Sequence, residues 1–202
     1  MKNYALKRLG FTLIELLVTI AIVMVLTGLL VVTTGQVRMA ADRMKAKEAC
    51  ASLVQAVGSY YTDYGHLPAN SRTAPERDQI VETTEGVFDV LAGYDFDGQN
   101  PRRNVYFSGT HARGDSRGRA FGGVWDDGSS ADLFDVWRKE AGLQRGYSIL
   151  LDYDYDERLS DPFSPGRNLA GAVVVSWSAG KDGEWERGSA RAEKNRDNVT
   201  SW

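Results

Sequence analysis

The side chains that could carry out catalysis are few in this sequence. His66 and His111 are its two histidines, and Cys50 is its single cysteine. The spacing G-x-S-x-G occurs at residues 114–118, within a glycine-rich loop, but no histidine pair at metal-ligand spacing and no cysteine–histidine arrangement accompanies it. The arginine-rich segment 109–123 lacks the Lys-Ser/Thr ending of a phosphate-binding loop. The sequence therefore predicts that the protein is not an enzyme.

Acidic residues alternate with tyrosines in the run 152–156, DYDYD, which has the spacing that begins an EF-hand calcium loop. An EF-hand loop has glycine at its sixth position and glutamate at its twelfth. Here these positions are Glu157 and Phe163. We therefore interpret the run as a solvated turn at the end of a strand rather than as a metal site.

A single carboxylate, Glu15, lies inside an apolar stretch. Residues 16–32 carry no charge, and with residues 11–14 they approach the ~20 residues that a helix needs to cross a bilayer. A carboxylate in a membrane helix costs several kcal/mol, about 2.5 or more near the centre, so it usually has a partner. The stretch itself offers no basic residue, so we expect the partner to be another molecule or a newly made chain terminus.

Cleavage between Gly10 and Phe11 would create such a terminus. The α-ammonium of Phe11 would then lie at the membrane surface, where Glu15 of an adjacent copy could neutralise it. Because an unpaired buried charge is expensive, this pairing would set the register in which copies stack.

The segment 10–15, GFTLIE, preceded by basic residues and followed by an apolar run, resembles the processing site of type IV pilins and type II secretion pseudopilins. The resemblance implies that a prepilin peptidase cuts after Gly10 and methylates the amine of Phe11. It also implies that Glu15 pairs with Phe11 of the next subunit in a homopolymer. Other pseudopilins and an inner-membrane secretion platform are the further partners that it implies.

Three basic residues precede the apolar stretch, and by the positive-inside rule they place the N-terminus in the cytoplasm. We therefore predict a leader peptide at 1–10, a single transmembrane or filament-core helix at 11–33 in the inner membrane, and a periplasmic domain at 34–202. The net charge of −3 gives no basic excess, which argues against a nucleic-acid partner.

Beyond the apolar stretch, apolar or small residues recur at the i, i+3, i+4, i+7 spacing of a helix packed on one side. They are Ala46, Ala49, Cys50, Leu53, Ala56, Val57, Tyr60, Tyr61 and Tyr64. Cys50 lies on this stripe, so we predict a small core residue rather than a reactive thiol. Gly65 and Pro68 predict the end of the helix. The exit sequence YYTDYGHLP is similar to the helix ending common in major pseudopilins.

The rest of the chain predicts a small sheet. Segments 146–153 and 170–177 have the apolar and β-branched composition of strands, whereas 79–92 is interpreted as a short second helix. The predicted fold class is α+β and pilin-like, with a long N-terminal helix, reaching to about Tyr64, packed on a small antiparallel sheet. A single cysteine cannot form an intramolecular disulfide, so we expect another stabilising cross-link in the domain.

The C-terminal segment 178–202 could return on itself and enclose a cation, because Ca²⁺ takes about six to eight oxygens, backbone carbonyls included. The segment is similar to the C-terminal loop of major pseudopilins, which binds calcium. Matching positions implies Asp182, Asp197 and Asn198 as side-chain ligands and Ala179 and Ser201 as carbonyl ligands. The alternative is an ordinary turn closed by the packing of Trp202.

Three functions fit these observations. The first is a pseudopilin, most like the major one, in a periplasmic filament that works as a piston in type II secretion. The second is a type IV pilin, major or minor, of a surface fibre for adhesion, motility or DNA uptake. The third is an anchored binding protein that never polymerises, against which Glu15 argues. The single cysteine and the C-terminal sequence favour the first, while the leader is common to the first two.

We predict that the variant Glu15→Ala still inserts in the membrane but assembles poorly, because it removes the charge that a neighbouring subunit would satisfy. Membrane fractionation measures insertion, and electron microscopy or cross-linking of the filaments measures assembly. Normal filament formation by this variant would contradict the pairing of Glu15 with Phe11.

Overall fold

The computed structural model describes residues 11–137, 145–189 and 191–202, with residues 29–34 described by their backbone alone. The predicted leader, including Gly10, lies outside the described residues. The chain divides into two compact units, 1–41 and 42–202, each of which has its own internal contacts.

A long helix, α1 (Leu13–Tyr64), begins two residues after Phe11, which confirms the predicted N-terminal helix. It ends at Gly65, which adopts a left-handed φ of 72° and donates its N–H to the carbonyl of Tyr61 at 2.8 Å. Glycine reaches this conformation without strain and is therefore the usual residue after a helix.

Within the part of the chain that the structure describes, no helix combines the length and the apolar character needed to cross a membrane. The transmembrane segment at 11–33 stays a prediction.

In the unit 42–202, one face of α1 belongs to the main hydrophobic core. The predicted stripe is confirmed: Ala46, Cys50, Leu53, Val57 and Tyr60 are fully buried. Burying a large apolar side chain stabilises a fold by about 1.5–3 kcal/mol, so this face makes a large contribution to the stability of the domain.

An antiparallel four-stranded sheet supplies the other side of this core. It consists of β1 (Gln79–Glu82), β4 (Ser148–Leu151), β7 (Val174–Ser178) and β8 (Val199–Thr200), in the spatial order β1-β4-β7-β8. β4 lies within the predicted strand 146–153 and β7 overlaps the predicted strand 170–177. The long helix and the antiparallel sheet confirm the predicted α+β class and are consistent with a pilin-like fold.

Side chains alternate between the two faces of the sheet, as the pleat requires. Ile149 and Leu151 of β4 belong to the core shared with α1, whereas Leu150 lies in a second cluster with Val175 and Trp177 of β7. Aromatic rings extend this second cluster, with Phe163, Trp185 and Trp202 in contact around Trp177. The sheet is therefore covered on both faces.

The remaining elements are short. Helix α2 (Gly86–Ala92) follows β1, the strands β2 (Gly123–Asp126) and β3 (Ala131–Phe134) form one hairpin, and β5 (Arg158–Ser160) and β6 (Asn168–Ala170) form another.

The interpretation of residues 79–92 as one helix is wrong for residues 79–85, of which the first four form β1 and the next three form a turn. The adjacent pair Ile80 and Val81 fits a helical or a strand period equally well, because a short apolar run carries no clear periodicity. Pairing with β4 decides the structure, since it places Val81 in the main core and Ile80 against the second cluster.

Cys50 is a buried core residue, as predicted. Its Sγ lies 3.7 Å from the carbonyl oxygen of Val199 in β8, so the thiol lies between α1 and the last strand. Burial raises the pKa of the Cys50 thiol to about 12, which keeps it protonated and unreactive at neutral pH.

Thr83 links the sheet to the β2–β3 hairpin. Its buried hydroxyl donates to the carbonyl of Leu133 at 2.7 Å and accepts from the N–H of Tyr147 at 2.7 Å. Its main chain bonds to the same two residues, at 3.0 Å each.

We predict that Thr83→Val lowers the free energy of unfolding by about 1–3 kcal/mol, because it leaves a buried N–H and a buried carbonyl without their hydroxyl partner. Denaturant unfolding of the purified full-length chain in detergent measures this loss. The exposed Thr73 gives the matched control Thr73→Val, which should change stability little. Equal stabilities of the two variants would contradict the role given to the Thr83 hydroxyl.

Candidate functional site

The start of α1 holds the predicted assembly residue Glu15 in a local hydrogen-bond arrangement. Its Oε2 accepts from the main-chain N–H of Thr12 at 2.9 Å and from the Thr12 hydroxyl at 2.7 Å. The N–H of Glu15 donates to Thr12 Oγ1 at 3.3 Å. This reciprocal pattern is a capping box, in which a hydroxyl residue and an acid three positions later satisfy each other's N–H groups.

Thr12 is a partner of Glu15 that the sequence interpretation missed, although the T-x-x-E spacing signals it. Thr12 offers hydrogen-bond donors but no positive charge. None of the ion pairs among the described residues involves Glu15. The carboxylate is therefore fixed in position at the first turn of α1, and no ion pair among the described residues compensates its charge.

The residues around Glu15 form an exposed apolar surface, defined here as the N-terminal apolar surface. Its large side chains are 48–82% exposed in the single chain. They are Phe11, Leu13, Ile14, Leu16, Leu17, Val18, Ile20, Ile22, Val23, Met24, Val25 and Leu26. Monomeric soluble proteins rarely expose so large a continuous apolar patch, and such patches mark interaction with protein or membrane.

The C-terminal loop gathers main-chain carbonyl oxygens around Asn198. One atom of the Asn198 side-chain amide lies 3.1 Å from the carbonyl oxygen of Ala179, 3.2 Å from that of Lys194 and 3.3 Å from that of Glu184. Ala179 and Asn198 come together because they directly follow and precede the last residue pair of β7 and β8, Ser178 with Val199.

Asn195 identifies the amide atom that faces these carbonyls. Its Oδ1 accepts from the N–H of Glu186 at 2.9 Å, and its Nδ2 donates to the carbonyls of Glu186 and Ser189. Asn198 Nδ2 donates to the same Asn195 Oδ1 at 3.0 Å, which turns Asn198 Oδ1 toward the carbonyls. The reverse orientation would place two amide oxygens 3.0 Å apart. Four oxygens then converge, and their partial negative charges repel one another unless a positive group lies among them.

The other predicted ligands, Asp182, Asp197 and Ser201, lie at different distances along the chain from this cluster. Asp197 Oδ2 accepts from the N–H groups of Lys181 and Asp182 at 2.6 and 3.2 Å, and Asp182 Oδ1 accepts from Glu184 at 2.8 Å. Ser201 pairs with Ser176 along β7, so it lies three residues, about 10 Å of extended chain, beyond Asn198. The structure thus brings Ala179 and Asn198 together, with Asp182 and Asp197 beside them, and places Ser201 further along.

The carbonyls of Glu184 and Lys194 are members of this oxygen cluster that sequence reasoning missed. Every residue has a main-chain carbonyl, so no residue type could have signalled them.

The two histidines lie in aromatic surroundings. His66 contacts the rings of Tyr60 and Tyr64, and His111 lies beside Trp125 with its ring centre 6.0 Å away. Neither histidine forms an ion pair among the described residues. These contacts are ordinary packing and give no nucleophile–base arrangement.

A family model described as the prokaryotic N-terminal methylation motif matches residues 6–31 of the chain. No curated protein and no solved structure gives a significant match. The matched residues include the predicted cleavage position, Phe11 and Glu15. A motif of this type belongs to the leader of type IV pilins and pseudopilins, and it implies a membrane-anchored chain. It therefore supports a type IV pilin-like or pseudopilin subunit, structural and not enzymatic, that a prepilin peptidase processes and that assembles into pilin-type polymers.

Proposed function

We propose that the chain is a structural subunit of a type II secretion pseudopilus. A prepilin peptidase cuts it after Gly10 and methylates Phe11. Residues 11–33 then anchor it in the inner membrane, with the N-terminus cytoplasmic and the domain periplasmic. Copies of the chain assemble with other pseudopilins on the inner-membrane secretion platform into a periplasmic filament that drives protein export.

The observation that carries this proposal is the position of Glu15 within the N-terminal apolar surface. The surface itself needs a cover of lipid or of other helices. The Glu15 carboxylate needs a cation, and Thr12 supplies only neutral donors. The methylated amine of Phe11 in a neighbouring subunit is such a cation, so one contact between subunits satisfies the charge while helices cover the apolar surface.

A type IV pilin of a surface fibre is the second candidate, because the methylation motif is common to both classes. Two observations favour the pseudopilin. The sequence has a single cysteine, which is buried beside β8, so the chain cannot form a disulfide within its C-terminal segment. The C-terminal loop instead presents the oxygen cluster around Asn198, where a bound cation could hold the loop together in place of a disulfide.

We assign calcium as the structural cation of the C-terminal loop. The donors near Asn198 are neutral amide and carbonyl oxygens, with the carboxylates of Asp182 and Asp197 beside them. This all-oxygen set suits Ca²⁺, which accepts carbonyls and carboxylates in irregular geometry. When bound, the ion would neutralise the repulsion among the oxygens and hold the loop against β7 and β8.

We predict that Asn198→Asp strengthens calcium binding on the order of tenfold, because calcium affinity rises with the number of ligand charges. The melting temperature of the full-length variant in detergent should exceed that of the wild type in calcium and fall below it in chelator. A variant less stable than the wild type in both conditions would contradict the site, since Asn198 would then serve the loop by donating its N–H groups. The exposed Asn168 provides the control Asn168→Asp, which should behave as wild type.

The processing step predicts a defined mass for the mature protein. Taken from membranes of its native host, it should lack residues 1–10 and carry one added methyl group. Intact-mass spectrometry checks both changes at once. A full-length, unmethylated mass would contradict the filament function and favour an anchored binding protein.

Deletion of the gene in the native host distinguishes the two filament classes. The pseudopilin function predicts that secreted proteins accumulate inside the cell while surface fibres remain. Loss of surface fibres with normal secretion would instead establish the type IV pilin.

A further inference from the structure

Three carboxylates from distant parts of the sequence meet at one edge of the four-stranded sheet. Asp78 directly precedes β1, and Asp152 directly follows β4. Because Gln79 pairs with Leu151, the antiparallel register sets Asp78 opposite Asp152. Asp154 follows two residues later, and one carboxylate oxygen from each of the three lies within 4.8 Å of the others.

This cluster contains buried oxygens without hydrogen-bond partners. Asp152 is 0% exposed, and its Oδ2 accepts from the N–H of Glu157 at 2.8 Å. Within the described residues, Asp152 Oδ1 has no hydrogen-bond partner, and neither has the buried Oδ1 of Asp78. Leaving such an atom unsatisfied destabilises the fold, and more so when the group is charged.

The charge of the cluster is not balanced by an ion pair within the part of the chain that the structure describes. Like charges directly opposite each other in paired strands are destabilising. Among residues 11–137, 145–189 and 191–202, no ion pair involves Asp78, Asp152 or Asp154. Something positive must therefore balance the three carboxylates, or one of them must hold a proton.

We propose that Asp78, Asp152 and Asp154 bind a calcium ion, at a site separate from the C-terminal loop. Calcium–oxygen distances are about 2.3–2.6 Å, so two oxygens on opposite sides of one ion lie about 5 Å apart. The 4.8 Å limit within the cluster allows a single ion to contact all three carboxylates. The donors are all oxygens, which suits calcium, and the cluster offers none of the nitrogen or sulfur ligands typical of structural zinc sites.

Asp152 gives the strongest support, because its unpartnered Oδ1 is fully buried and belongs to the group that could hold the ion. A solvated acidic turn would leave its carboxylate oxygens in water. Here the exposed members of the DYDYD run bond to their own turn: Asp154 accepts from the N–H of Asp156, and Asp156 from that of Arg158. The buried Asp152 and its cross-strand neighbour Asp78 are the ones with oxygens unsatisfied.

The site would stabilise the end of α1 through two tyrosines that flank the carboxylates. The Tyr153 hydroxyl donates to the carbonyl of Pro68 at 2.8 Å, and the N–H of Leu67 donates to the Tyr155 hydroxyl at 3.1 Å. The ring of Tyr155 also stacks on Tyr61 of α1, with ring centres 6.1 Å apart. An ion that fixes the segment 152–157 therefore links β1, β4 and the helix exit.

A shared proton is the competing way to relieve the charge. Burial, followed by the neighbouring acids Asp154, Asp152 and Asp156, raises the pKa of Asp78 to about 6. Below that pH the protonated carboxyl could donate to a neighbouring carboxylate. Burial raises the pKa of Asp152 as well, so the two alternatives differ most at alkaline pH, where the shared proton is lost.

The test compares melting temperatures of the full-length protein in detergent at slightly alkaline pH, with calcium and with chelator. The variants Asp78→Asn and Asp154→Asn should each lose part of the calcium-induced rise that the wild type shows. In chelator Asp78→Asn should melt above the wild type, because one repelling charge is gone. Calcium titration calorimetry should show that one binding event is lost or weakened at least about tenfold, as expected when a metal ligand is removed.

Asp156→Asn is the matched control, because it makes the same exchange in the same turn at an exposed acid outside the cluster. It should keep the calcium response of the wild type. Asp154 is exposed, so Asp154→Asn should fold even if Asp78→Asn does not. An equal calcium-induced rise in wild type, Asp78→Asn and Asp154→Asn would overturn the site and leave the shared proton as the explanation. The C-terminal loop does not enter this comparison, because it is the same in all these variants.

Discussion

The packing of one face of α1 on the antiparallel sheet is the interaction on which the domain of residues 42–202 depends. Ala46, Cys50, Leu53 and Val57 are fully buried in the core that β4 and β7 share. No disulfide can reinforce this contact, because the single cysteine lies inside it with its thiol against β8. A domain held in this way is sensitive to anything that loosens the edges of the sheet or the exit of the helix.

The two oxygen clusters lie at such edges, next to strands of the same sheet. The cluster around Asn198 follows the last residue pair of β7 and β8, and the cluster of Asp78 and Asp152 lies where β1 begins and β4 ends. Both concentrate negative or partially negative oxygens at the ends of strands. In both cases a cation would turn a repulsive arrangement into a connection between segments, which is the role that disulfides have in many secreted domains.

At the other end of α1, the proposed filament would give Glu15 a second role. In the single chain it caps the helix through Thr12. In a filament the same carboxylate would face the amine of Phe11 of a neighbouring subunit. In its own chain, Phe11 directly precedes Thr12, whose N–H already donates to Glu15. The capping box therefore fixes the position of the acid in the single chain, and under the proposed pairing assembly would supply the positive charge that the cap lacks.

The sequence by itself determined the methylation motif, the long helix with its end at Gly65, the buried stripe through Cys50 and the two central strands. These features follow from local spacing: a helix repeats every 3.6 residues, glycine adopts a positive φ, and β-branched runs favour strands. The sequence was ambiguous at residues 79–82, where only pairing with β4 made a strand. The tertiary structure alone decided that Asp78 faces Asp152 and that the carbonyls of Ala179, Glu184 and Lys194 converge on Asn198. The first depends on the register of strands far apart in the chain, and the second on main-chain atoms that every residue has, so neither leaves a pattern in the order of the amino acids.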